Sequence, residues 1–168
     1  QQVCDLRLAT QGLDHTDYAT SLMTLASIKA NLQKYQEAES LLLKNLTVIE
    51  SQQGIWNSNY NNSLTTLAGV YLEMERYSEA EKAFDKSLEI SRKTRGELHP
   101  EHATLLNNVA QLYRGMALYH KAEVAGLQAI KIIEAAYGEN DPSIIYPCTV
   151  LANVYKDQED YKTAELYI

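Results

Sequence analysis

Between residues 97 and 138 apolar side chains recur at intervals of three and four. Leu105, Leu106, Val109, Leu112, Tyr113 and Met116 form one stripe, and a second stripe opens near Tyr119 and runs to Ile132 and Ile133. Such spacing puts the apolar residues on one helix face, so the segment is predicted to hold two amphipathic helices. The pattern returns upstream and downstream at a constant interval of 42 residues, as in Gly12, Gly54, Gly96 and Gly138, or Ala38, Ala80, Ala122 and Ala164. His15, Asn57, His99 and Asp141 keep the same register, as do Ala26, Ala68, Ala110 and Ala152. A fixed period of this size marks stacked supersecondary units, not one globular core. The chain is therefore predicted to be all-α and a single array over residues 1–168. Its parts are the end of a truncated repeat at 1–12, full repeats at 13–54, 55–96 and 97–138, and a partial repeat at 139–168.

Local chemistry sets the ends of the helices. The first helix of a repeat follows a turn holding Asn57, His99 or Asp141, with Pro100 and Pro142 one position later. Asn and Asp accept hydrogen bonds from first-turn N–H groups, and proline at the first helical position gives up a donor that has no partner there anyway. The second helix opens near Tyr35, Tyr77, Tyr119 or Tyr161 and closes at glycine, which enters the left-handed conformation at little cost. Short connections such as Leu32-Gln33-Lys34 and Met116-Ala117-Leu118 force each pair antiparallel. Alanine at fixed positions lets the two backbones approach closely, and stacking on the next repeat covers the remaining apolar face. Pro147 falls inside a predicted first helix, where it is expected to remove the bond to the Ser143 carbonyl and kink the axis.

Two matches carry a family resemblance. One is Leu64, Leu67-Ala68, Tyr71, Ala80, Phe84 and Ser87; the other is Leu106, Val109-Ala110, Tyr113, Ala122 and Ala129. They resemble the tetratricopeptide repeat, and His99-Pro100, Leu106-Asn107-Asn108, Tyr119, Ala122-Glu123 and Gly138 look like the longer repeats of kinesin light chains. The chain departs from the pattern at Asn57-Ser58, which replaces His-Pro, at Gly126, which replaces a large residue, and at Pro147.

The resemblance implies a right-handed α-α superhelix, a solenoid of antiparallel helix pairs whose first helices line a concave face. It implies a non-catalytic protein–protein interaction scaffold that binds an extended peptide or partner protein there. Carried over by position, the groove residues are Asn62 in the second repeat, Asn107, Gln111 and Arg114 in the third, and Tyr146, Asn153 and Lys156 in the partial one. The corresponding positions of the first repeat, Thr20, Met23, Ser27 and Ala30, offer a blander wall. An amide holds a peptide backbone through its paired donor and acceptor, and Arg114 suits a carboxylate. The alternative function is a sensing or regulatory arm of a larger protein whose catalytic domain lies outside these residues. A third reading is self-association through uncapped array ends.

Composition narrows the partners further. A net charge of −7 and a pI near 5.1 oppose nucleic-acid binding, which rewards clustered Lys and Arg. No apolar run approaches the ~18 residues that span a bilayer, so no membrane association is expected. Cys4 and Cys148 occupy positions held elsewhere by Leu or Ile and read as small core hydrophobes. Free buried thiols suit a reducing compartment, hence a cytoplasmic location. His99, His102 and His120 lack a second ligand pair, so neither metal nor cofactor is expected. No nucleophile elbow, phosphate loop or zinc-hydrolase helix is present. Seven of the twelve tyrosines recur in register and read as core packing, whereas Trp56 stands outside the pattern in a turn.

Overall fold

The computed structural model describes Gln2 and residues 16–168, which places Cys4, Gly12 and His15 outside the described residues. Every regular element among them is helical. The chain divides into two compact units, one running through Ile90 and the other Ser91–Ile168. The first unit holds α1 (Thr16–Asn31), α2 (Tyr35–Gln53), α3 (Ser58–Glu73) and most of α4 (Tyr77–Thr94). The second holds the last turn of α4, then α5 (Pro100–Gly115), α6 (Tyr119–Tyr137), a short 3-10 turn (Pro142–Ile144), α7 (Ile145–Asp157) and α8 (Tyr161–Ala164). Second helices begin at Tyr35, Tyr77, Tyr119 and Tyr161, as the periodicity predicts.

The helix starts are capped by the expected side chains. Asn57 Oδ1 accepts from the Tyr60 N–H at 2.9 Å, His99 Nδ1 from the Glu101 N–H at 3.2 Å, and Asp141 Oδ1 from the Ser143 N–H at 2.9 Å. Gly54, Gly96 and Gly138 close the second helices with φ between 72° and 93°, a region that penalises any Cβ. The turns inside each pair are also left-handed, without glycine: Gln33, Glu75, Ala117 and Glu159 have φ of 56° to 63° and stand 42 residues apart. In each turn the next residue's N–H reaches back five positions, as from Lys34 to the Lys29 carbonyl or Leu118 to the Tyr113 carbonyl, a Schellman closure.

Close packing follows the alanine series. Ala26, Ala38, Ala68, Ala80, Ala110 and Ala122 are fully buried, which draws the helices of each pair together. Gly126 has a packing reason of its own. A Cβ there would sit 2.9 Å from Leu151 Cδ2, and Leu151 is 0% exposed. The large residue expected at position 126 is supplied instead from α7.

Two expectations need correction. Pro147 does not interrupt a helix, because the segment starts as a 3-10 turn and α7 begins only at Ile145; Pro147 lies in its first turn, where a missing N–H costs nothing. The in-register tyrosines are not all core residues. Tyr71 is buried, Tyr35, Tyr77, Tyr113, Tyr119 and Tyr155 are half-buried, and Tyr161 is exposed; the fully buried ring belongs to Tyr18. The half-buried rings keep polar tips at the surface, a common use of tyrosine. Tyr155, for example, donates to Glu123, and burial with that carboxylate pushes its hydroxyl pKa upward.

Candidate functional site

The helical spacing of α5 places Asn107 and Gln111 one turn apart on the same side. With Tyr146 from α7 they line a groove of about 520 Å³ in the second unit. Tyr137, at the end of α6, stands at 57% exposure and Tyr146 at 71%, so two aromatic rings project at this groove largely free of protein cover. Asn107 Oδ1 is the buried side-chain polar atom among the described residues that lacks a hydrogen-bond partner. A buried acceptor left in that state costs about 1–3 kcal/mol.

The repeat itself explains why this oxygen is alone. One period earlier, Thr65 stands at the position of Asn107, and its hydroxyl lies 2.8 Å from Ser87 Oγ, which in turn donates to Asn61 Oδ1 at 2.7 Å. The third repeat has Ala129 in place of Ser87 and Ala103 in place of Asn61. Those alanines join Ile132 and Ile133 in an apolar cluster that offers Asn107 nothing to bond.

Of the other site positions inferred from the sequence, Asn62 lies in the first unit, exposed on a groove of about 200 Å³. That groove repeats the first one two periods earlier: Ala19, Thr20, Met23, Ile49 and Asn62 become Ala103, Thr104, Asn107, Ile133 and Tyr146, each 84 residues on. Arg114 is engaged within the chain. Its Nε donates to Asp157 Oδ2 at 2.6 Å and its Nη2 to Oδ1 at 3.4 Å. Lys156 is exposed at the end of α7. Asn153 lines another groove with Ile145, Cys148, Thr149 and Leu166, where burial and the nearby Glu134 raise the Cys148 thiol pKa. The structure thus brings Asn107, Gln111 and Tyr146 together. It adds Tyr137, whose one sequence signal is that it immediately precedes the closing Gly138.

Among the described residues a serine hydroxyl and a histidine ring meet at Ser91 Oγ and His102 Nδ1, 3.3 Å apart. Ser91 is only 1% exposed, so its hydroxyl has no route to a substrate. Burial lowers the His102 pKa, with Glu97 opposing and Arg92 adding to the shift. Among the described residues no group of three His, Cys, Asp or Glu converges on a metal-sized site. Nor is any helix there long and apolar enough to cross a membrane.

Two sequence models described as Tetratricopeptide repeat match the chain, one over residues 59–135 and one over 19–51. The chain belongs to the tetratricopeptide-repeat family. No curated protein matches it. Among solved structures it is similar to BtubC (BKLC) from P. vanneervenii at 18% identity and a TM-score of 0.78, covering 99% of this chain and 74% of that one. It is also similar to a kinesin-light-chain-type protein of Podosopora anserina with nearly identical TPR-like repeats, at 20% identity and a TM-score of 0.82, covering 99% and 78%. RapI in its apo form gives 19% identity and a TM-score of 0.81, covering 99% and 58%. At these identities the likeness establishes the tetratricopeptide-repeat fold alone.

Proposed function

We propose that residues 1–168 form one tetratricopeptide-repeat array that acts as a non-catalytic interaction scaffold, taking an extended segment of a partner protein against its first helices. The groove of the second unit is the principal contact, with Asn107, Gln111 and Tyr146 as its binding residues. Arg114, Asn153 and Lys156 flank it along α5 and α7, and Asn62 marks the equivalent, smaller groove of the first unit. The observation that supports this reading is the unpartnered Asn107 oxygen, buried in a groove whose aromatic rings stand exposed. A partner's N–H would supply the missing bond, and the tyrosine rings would gain cover. The half-buried free thiol of Cys148 suits a reducing, cytoplasmic setting.

A preformed groove leaves most of the ordering cost with the peptide, so micromolar affinity, about −8 kcal/mol, is the expected scale. A peptide selected from a random library on the immobilised protein should bind the double variant Asn107→Ala/Tyr146→Ala roughly tenfold more weakly. Its melting temperature should stay within a few degrees of the parent. Equal affinity in the double variant would remove this groove from the function.

A further inference from the structure

The chain shows how it holds a cation of its own. Lys44 lies over the Tyr18 ring at 5.4 Å, Arg76 over Tyr71 at 4.5 Å and Lys121 over Tyr113 at 5.1 Å. Arg76 presents the fullest case. Its Nη1 lies 2.9 and 2.8 Å from the two Glu39 oxygens, and its Nε donates to Glu79 at 2.9 Å while the guanidinium rests on the ring. One aromatic face and a few fixed acceptor oxygens are enough to fix an arginine here.

The groove of the second unit supplies the same two kinds of group and no cation. Tyr137 and Tyr146 offer rings, Asn107 offers a buried acceptor without a partner, and Glu101 is the one charged residue lining the wall. Glu101 Oε2 takes the Arg95 Nε at 2.9 Å, and neither Lys nor Arg lines the groove. An acidic side chain entering there would be repelled by the Glu101 carboxylate and could not use the buried Asn107 oxygen, so any hydrogen bonds to it would have to come from the amides and hydroxyls of Thr104, Asn108, Gln111 and Ser143. Lysine would bring a compact, strongly hydrated charge. Arginine brings a flat cation with five donors, which lies against an aromatic ring while bonding sideways to an oxygen.

We propose that this groove accepts an arginine side chain from the partner's extended segment, the guanidinium lying against Tyr137 and Tyr146 and donating to Asn107 Oδ1. The proposal rests on the reading that the groove takes a partner segment, and adds to it the chemistry of the residue that enters.

The test uses four capped, glycine-flanked peptides that differ only in a central Arg, citrulline, Lys or Glu, titrated into isotope-labelled protein and followed by NMR. The arginine peptide should shift the Asn107 side-chain amide and the Tyr137 and Tyr146 ring signals, binding at least roughly tenfold more tightly than the Glu peptide. Citrulline keeps the plane and loses the charge, so it should fall between them. Asn107→Asp should tighten arginine binding, and Asn107→Met should weaken it roughly tenfold. Met23 holds the same repeat position in the first unit, so Asn107→Met is expected to fold; Asn107→Thr, which copies Thr65 of the preceding repeat, is a second variant that must also weaken binding. Equal shifts for Arg and Glu, indifference to Asn107→Met and Asn107→Thr, or silence from the arginine peptide would overturn the arginine proposal alone. Peptides from the random library that bind the Asn107/Tyr146 double variant unchanged would overturn the groove reading beneath it.

Discussion

The same groove occurs once in each unit, and the two copies are finished differently. In the first unit Asn45 is 0% exposed and narrows the copy: its Nδ2 donates to the Ala19 carbonyl at 2.5 Å while Ser63 donates to its Oδ1 at 2.5 Å. In the second unit the corresponding residues are Ala129 and Pro147, which bond to nothing, and the groove is more than twice as large. The polar solution spends its hydrogen-bonding capacity inside the protein. The apolar one leaves an oxygen and two rings available to a visitor. A repeat protein can thus keep one backbone plan and, by small changes at buried positions, fill a groove with its own hydrogen bonds in one copy and leave it unfilled in another.

Three tests probe that contrast, beginning with the largest effect. Phe84 is almost fully buried in the first unit at the position of Gly126 in the second. Gly126→Phe should destabilise the protein by about 3 kcal/mol in urea unfolding, because Leu151 already fills that space; adding Leu151→Ala should recover part of the loss. Full stability of the single variant would mean that the second unit tolerates the first unit's packing. Asn45→Ala should cost about 2 kcal/mol, since the Ala19 carbonyl and the Ser63 hydroxyl both lose a buried partner. A negligible cost would show that the first groove is kept narrow by something other than this bridge. The smallest effect tests what the units share. Ala117→Gly and Glu75→Gly should each raise stability, by up to about 1 kcal/mol, as a left-handed residue loses its Cβ. Opposite signs at the two turns would show that the shared geometry hides different strain.

Much of this architecture was legible in the sequence because its determinants are local. Glycine at a fixed period, a capping side chain before each first helix and alanine at two fixed positions each act within a turn or two, and Asn57, His99, Asp141 and Gly138 serve as expected. What escaped depends on residues distant in sequence or on an atom that is missing. Arg114 reads as a free fork until Asp157, 43 residues away, is seen to hold it. The left-handed turns carry Gln, Glu and Ala, none of which announces a positive φ, because the backbone closure stabilises them. The position of Asn107 on α5 follows from the repeat register. The reason its oxygen is unsatisfied, Ala129 and Ala103 where the preceding repeat has Ser87 and Asn61, appears only when the two repeats are laid over each other in atomic detail.

The turns within the pairs have a practical corollary. Gln33, Glu75, Ala117 and Glu159 are all solvent-exposed, and each turn closes through main-chain bonds alone. No side chain is needed to hold the corner, so its chemistry is free to drift between copies while the scaffold stays put. That makes these corners natural handles for grafting a dye, a tether or a foreign epitope onto the molecule.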